Sequence, residues 1–287
     1  MRDELKQLSP SDFPPLLREI PDPPKRLYAR GNIPTDGIWL AVVGSRACTP
    51  YGRQAVHYLI EGLRGYPVVI VSGLAYGIDT EAHRAALDAG LTTVAVPGSG
   101  LDWPVLYPKA NHGLAREILE GGGALISEEE PGAKAMDYMF PKRNRVMAGL
   151  SKATLMVEAR GKSGSLITAR LCTEYNRELL VVPGSIFSEE SKGTHQFLRM
   201  GATPVTCAED ILSALGIAAR EDAGTLTKLR TDISADEQRV LAHLAAPTPR
   251  DALLALLEMP ISEANVLLST MEIKGLIVEE LGHVRMR

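Results

Sequence analysis

The chain has 287 residues, 45% of them hydrophobic and 23% charged, a length that favours one large domain with a small one and enough apolar side chain for a packed core. Its net charge of −4 and pI near 5.9 exclude a protein that coats nucleic acid through bulk charge, so an anionic ligand must meet a local patch. Three separated cysteines, Cys48, Cys172 and Cys207, form no CxxC or Cys/His set, and no apolar leader or membrane-length run occurs, so the expectation is a cytoplasmic protein with reduced thiols, no metal, no cofactor and no membrane.

Residues 1–36 read as a proline-rich N-terminal arm (Pro10, Pro14, Pro15, Pro21, Pro23, Pro24, Pro34), extended along a domain, with a short helix near 16–20. From residue 37 the pattern changes. An apolar run at 38–43 ends in Gly44-Ser45-Arg46 and leads to helical spacing at 52–63, a strand, turn and helix. The unit repeats at 68–71 with Ser72-Gly73 and a helix at 79–89, where Asp79 and Glu81 suit the helix start and Gly90 its end. A third strand at 92–96 runs into Pro97-Gly98-Ser99-Gly100, followed by a helix at 113–120 and a strand at 124–127. Strands at 154–157 and 179–182 flank a helix starting near Ser165, and a helix at 194–200 and a strand at 203–206 end the series.

Many of these strands lack polar alternation, which calls for a sheet covered on both faces. The expectation is a doubly wound, Rossmann-like α/β domain with a mainly parallel sheet over residues 37–216. Residues 217–232 read as a polar linker. Helical stretches at 234–244, 250–257 and 262–274 and a hairpin-like tail at 276–286 make 233–287 a small C-terminal winged-helix domain, with Met259-Pro260-Ile261-Ser262 as the turn and N-cap before its last helix.

Ligands in such sheets sit outside the carboxyl ends of the strands. Four of those ends carry glycine, serine or a cation: Gly44-Ser45-Arg46, Ser72-Gly73, Gly98-Ser99-Gly100 and Lys162-Ser163-Gly164-Ser165. One such turn means little, since glycine also just makes room for backbone. Four at one rim indicate an anion-binding edge. Positive charge is concentrated there: between Lys142 and Lys162 six basic residues face one acid, Glu158, in two basic turns joined by a strand, and the second runs into a helix start where free N–H groups favour phosphate. Phe140 precedes Lys142-Arg143-Asn144-Arg145, and Trp103 and Tyr107 precede Lys109. Rings beside cations are how single-stranded nucleic acid is held, although Phe140 could equally plug the core. Asn144 could read a base edge or cap its own loop. Glu128-Glu129-Glu130 reads as a solvated turn that repels nucleic acid toward the basic side.

Nucleotide motifs are incomplete. Gly44-Ser45-Arg46-Ala47 lacks GxGxxG, and a Walker loop ending at Gly161-Lys162-Ser163 would need its first glycine at Met156. No GxSxG or HExxH occurs, and the six histidines are scattered singly, so a non-enzymatic protein is expected.

Taken in order, these motifs resemble the DNA-processing protein A family (DprA, also called Smf). The resemblance is carried by Gly44-Ser45-Arg46, Ser72-Gly73 through Gly77-Ile78-Asp79, Gly98 through Asp102, Tyr107-Pro108, Phe140-Pro141-x-Arg143-Asn144-Arg145, Glu158-Ala159, Lys162 through Ala169, Val182-Pro183-Gly184 and Gly193-Thr194. It implies a Rossmann-like core that binds single-stranded DNA, forms a homodimer and loads the RecA recombinase on incoming strands during natural transformation. It also implies DNA contacts from Arg46 and Lys109, and a pocket lined by Arg143, Asn144, Arg145, Lys162, Ser163, Gly164 and Ser165. With Gly44, Ser45, Gly73, Ser99 and Phe140 these are the candidate DNA-binding residues. A second reading is a nucleoside-monophosphate ribosyl hydrolase of the cytokinin-activating Rossmann type. It needs a Pro-Gly-Gly-x-Gly-Thr loop, where this chain has Pro97-Gly98-Ser99-Gly100-Leu101-Asp102.

Overall fold

The computed structural model describes residues 4–161, 163–219, 234–244, 248–257, 259–274, 276–280 and 282–286. The chain divides into two compact units, Met1–Ala219 and Arg220–Arg287, each described by itself below.

In the first unit the strands are β1 (Leu5–Leu8), β2 (Leu27–Gly31), β3 (Ile38–Val43), β4 (Val68–Ser72), β5 (Thr93–Ala95), β6 (Ala124–Ser127), β7 (Ala153–Met156), β8 (Glu178–Val181) and β9 (Thr203–Pro204). The helices are α1 (Pro15–Arg18), α2 (Pro50–Glu61), α3 (Ile78–Asp88), α4 (His112–Glu120), α5 (Met139–Leu150), α6 (Ser165–Glu174), α7 (Lys192–Arg199) and α8 (Ala208–Ala214). The sheet runs β1-β2-β6-β5-β4-β3-β7-β8-β9, parallel from β6 to β9 and antiparallel at β1-β2-β6. From β3 the chain winds outward through β4, β5 and β6, then returns to pair β7 with the other side of β3. That reversal opens a crevice at the carboxyl ends of β3 and β7.

Successive residues of each inner strand enter opposite cores, which is why the strands read as continuous apolar runs. Trp39, Val43, Val69, Val71 and Met156 pack with Val146, Met147 and Leu150 of α5 and Leu166 and Ala169 of α6. On the other face Leu40, Val42, Ile70 and Leu155 pack with Val56 and Ile60 of α2, Ile78 and Ala82 of α3 and Ile211 of α8.

Two segments differ from the sequence expectation. The proline-rich N-terminal stretch does not merely lie along the domain. β2 pairs with β6, β1 pairs with β2, and Phe13, Leu17, Ile20 and Leu27 are buried in the first of these cores. Prolines flank these pieces without interrupting their ladders. The first basic turn, at 142–145, is instead part of helix α5, with Pro141 in the first turn, where no intrahelical donor is needed.

In the second unit α9 (Ala235–Ala242), α10 (Arg250–Leu256) and α11 (Ile261–Ile273) accompany a small sheet of β10 (Thr248–Pro249), β11 (Ile277–Glu280) and β12 (His283–Met286), ordered β10-β12-β11. Val240, Leu253, Ala264, Leu268, Met271 and Val284 form its core. Ser234 and Glu237 close a capping box on α9. The expected N-cap at Ser262 is replaced by Pro260, with no side-chain cap. Most of the linker, residues 220–232, lies outside the described residues. Among the described residues no single helix is long and apolar enough to cross a membrane, and no group of three or more His, Cys, Asp or Glu could hold a metal ion.

Candidate functional site

A cleft of about 610 Å³ occupies the crevice where the strand order reverses. Its walls are Val43, Gly44, Ser45 and Arg46 after β3, Phe140, Arg143 and Asn144 on α5, and Arg160, Ser163, Gly164 and Ser165 between β7 and the start of α6. Nine of the fourteen candidate residues therefore meet in one cavity.

The Arg46 loop is fixed from below. Val157 N–H donates to the Val43 carbonyl at 3.1 Å, continuing the β3-β7 ladder, and Ile78 N–H donates to the Ser45 carbonyl at 3.1 Å. Glu158, the lone acid in the basic stretch, is buried and accepts from Thr49 N–H at 2.9 Å and Thr49 Oγ1 at 2.5 Å. Its carboxylate thereby ties the loop after β3 to the end of β7. Arg46 itself is exposed and makes no ion pair among the described residues. Its guanidinium lies 4.9 Å from the centre of the Phe140 ring.

Phe140 is half-buried. It meets Tyr107 edge-on with centroids 5.7 Å apart, and it fills the space over Gly98, where a Cβ would come within 2.5 Å of its ring. One flank of the ring is thus held by protein while Arg46 stacks at the cleft, so the ring neither plugs the core nor swings free.

Arg143 is buried on the cleft floor. Its Nη1 donates to the Val96 carbonyl, and its guanidinium covers Gly73, where a Cβ would run into it. Asp79 faces it, accepting from Gly73 N–H at 3.1 Å and Ala75 N–H at 3.3 Å. Burial raises the Asp79 pKa, opposed by the Arg143 charge, and burial lowers that of Arg143 to about 10, which leaves it protonated at neutral pH. Behind it His83 is buried with its Nδ1 2.7 Å from Thr93 Oγ1, and burial takes its pKa down to about 3, so it stays neutral.

The far wall is the first turn of α6, which has no side-chain cap and presents the positive end of the helix. Ser163 Oγ and Ser165 Oγ are 2.7 Å apart, and Asn144 Nδ2 donates to the Gly164 carbonyl at 3.4 Å. Arg160 is engaged by buried Glu190. Arg46 and this helix start are therefore what the cleft offers an anion.

The remaining candidates stand elsewhere. Arg145 gives both of its arms to scaffold: Nη2 donates to Glu128 at 2.6 and 2.7 Å and Nη1 to the Asp22 carbonyl at 2.6 Å, away from the cleft. Ser99 is fully buried outside the cleft, donating to the Gly100 carbonyl and accepting from Tyr107 N–H, so it shapes its loop. Gly73 makes room for Arg143 without lining the cleft. Lys109 is exposed on the short turn Lys109–Asn111, outside the cleft, and Lys162 lies outside the described residues. The acidic run is only partly a solvated turn: Glu128 and Glu129 are half-buried and pair with Arg145 and Lys142, while Glu130 is exposed, accepts from Tyr28 and pairs with Arg26. Sequence reasoning missed the supporting roles of Glu158 and Asp79. A single acid inside a basic run was the available signal for the first.

Residues 5–216 match the family described as DNA recombination-mediator protein A, and residues 229–283 match the DprA winged helix domain. The chain belongs to the DprA/Smf family. It is 44% identical over 202 residues to the DNA processing protein DprA of Streptococcus pneumoniae, covering 70% of each chain. To Protein Smf of Escherichia coli it is 38% identical over 291 residues, covering 98% of this chain and 77% of that one. Among solved structures, DprA of Streptococcus pneumoniae superposes with a TM-score of 0.67 at 41% identity, covering 74% of this chain and 75% of that one. DprA of Helicobacter pylori, described for its single-stranded DNA binding mode, gives 0.66 at 31%, covering 74% and 96%. As a DprA-family protein the chain is a recombination mediator on a Rossmann-like core, and three of the motifs that carry the family resemblance, at Gly44-Ser45-Arg46, Phe140 through Asn144 and Ser163 through Ser165, line the cleft.

Proposed function

We propose that the cleft between β3 and β7 binds single-stranded DNA, with phosphate at Arg46 and the start of α6 and a base against the Phe140–Arg46 stack, and that no chemistry is done on the strand. The observation that carries this is the guanidinium of Arg46 held over Phe140 in a cleft that three of the family's motifs line. The Helicobacter pylori relative, described for its single-stranded DNA binding, supports it. The same reading has the protein work in the cytoplasm as a homodimer that loads RecA on strands entering during natural transformation, functions taken from the family resemblance. The DNA site then belongs to the core at 37–216, joined through the linker at 217–232 to a winged helix at 233–287 that serves protein contact. Support for the last point is that α11 carries Glu263 and Glu272, while Lys274 at its end is engaged by Glu237 at 2.8 Å.

For dimerisation, Phe197 is buried and Leu198 packs on the core, so neither is left for an interface on α7. Exposed Met200, together with Ile186 and Phe187, is the apolar surface nearest to it in sequence. Titration with matched single- and double-stranded oligonucleotides, run beside a ribosyl hydrolysis assay, tests the proposal. Tight single-strand binding without hydrolysis is expected, and preference for duplex or release of ribose phosphate overturns it.

A further inference from the structure

A second groove, of about 390 Å³, adjoins the cleft, and Arg46 lines both. Arg53 on α2, Tyr76 in the turn before α3, and Glu81 and Arg84 on α3 form its walls; its end is closed by Ala110 and Asn111, directly after Lys109. Glu81 is buried, and Arg53 and Arg84 approach it from two sides at 3.4 and 3.7 Å while remaining 61% and 56% exposed. These pairs are longer than a charge-assisted hydrogen bond, so the guanidinium groups keep donors free for another anion. With Arg46 opposite, the groove holds three guanidinium groups against one carboxylate, an excess of two positive charges in a protein whose net charge is −4. Tyr76 places a ring, 46% exposed, among them. Packing of α2 against α3 accounts for the burial of Glu81 but not for an uncovered ring between unsaturated cations.

We propose that this groove is a second nucleotide site: the strand in the cleft crosses Arg46 and continues into it, one phosphate between Arg53 and Arg84 and one base on Tyr76. This rests on the reading of the cleft as a single-strand site. It makes Arg46 the shared post between two sites, and it places Lys109, which the cleft leaves out, beside the groove's far end.

The test uses the full chain and fluorescence anisotropy with two oligothymidylates, one of about 4 nucleotides to fill the cleft and one of about 20 to span both sites. For the long strand, Arg53→Gln with Arg84→Gln lowers the log–log salt slope by about 0.7, one phosphate contact. Tyr76→Leu weakens the long strand about fivefold with the slope kept, and Tyr76→Phe retains wild-type affinity. The short strand binds all of these variants like the wild type. The tyrosine pair keeps the test independent of any loss of fold from uncovering Glu81. If the long strand ignores the Arg53, Arg84 and Tyr76 changes while Arg46→Ala weakens both lengths, the second site is overturned and the cleft stands. If Arg46→Ala alters neither length, the cleft reading fails and the groove falls with it.

Discussion

Arg143→Met decides whether the arginine on the cleft floor is a DNA ligand or a scaffold cation. Methionine keeps a long apolar stem but removes the charge that compensates buried Asp79 and the donor to the Val96 carbonyl. Removing one of two compensating buried charges costs about 3–5 kcal/mol, and the lower end, about 3, applies because the Gly73 and Ala75 N–H groups still hold the carboxylate. At about 2–4 °C per kcal/mol for a unit of this size, Tm falls by roughly 6–12 °C. The loss depends on pH. Burial already raises the Asp79 pKa above its ordinary 3.8, and without the Arg143 charge only hydrogen bonds, from the Ala75 and Gly73 N–H groups and Ser72, oppose that rise. The folded state binds the proton more tightly than the unfolded chain, so stability falls as pH rises from about 3.8 through the folded value, and it goes on falling in the variant, whose folded value is higher, after the wild type has levelled off. The deficit is smallest in acid and complete once Asp79 is ionised in both states. Thermal unfolding across this pH range measures it, and Asp79→Asn in the same chain recovers part of the loss. A variant with wild-type Tm and pH profile but weakened oligothymidylate binding would refute the argument and make Arg143 a DNA contact.

Arg46→Ala should leave Tm unchanged, because the side chain is exposed, and lower the oligothymidylate salt slope by about 0.7; an unchanged slope removes phosphate from the β3 loop. Phe140→Ala should cost about 1–3 kcal/mol of binding with the slope kept, and lower Tm through its lost packing on Tyr107 and Gly98. Lower Tm with normal affinity would make Phe140 a core residue only. Arg145→Ala should reduce stability by about 1–3 kcal/mol, since Glu128 and the Asp22 carbonyl lose a charged donor, and leave DNA binding intact; loss of binding at constant Tm contradicts this.

The doubly wound core was legible because its strands are apolar on both faces and each ends in a glycine or serine turn. Where the reading failed, a local signal was overridden. In α5 the buried residues Met139, Arg143, Val146, Met147 and Leu150 lie at helical spacing, but one of them is an arginine and Asn144, Ala148 and Gly149 are buried beside them, so hydropathy hides the period and the segment reads as a basic turn. β2 is short, flanked by prolines and is fixed by pairing with β6, about a hundred residues later. At the site, residue types picked out turns of which three meet in one cleft, but could not say which cations face it. Lys142, Arg143 and Arg145 are near neighbours in sequence, and the helix sends them to different partners.

That sorting explains how an acidic protein leaves a cation free in the cleft. The glutamates at 128 and 129 face scaffold cations. They absorb Lys142 and Arg145, as Glu190 absorbs Arg160 and Asp79 compensates Arg143. The cation left unpaired in the cleft among the described residues is Arg46, carried on a loop that Glu158 fixes in place. Screening at physiological salt confines charge effects to about 8 Å, so the negative charge elsewhere on the surface hardly reaches it. A strand confined to the cleft should accordingly show a shallow salt dependence and rely on stacking. Steeper dependence requires it to reach cations beyond the cleft, and Arg53 and Arg84, loosely held by one carboxylate just past Arg46, are the nearest that the groove supplies.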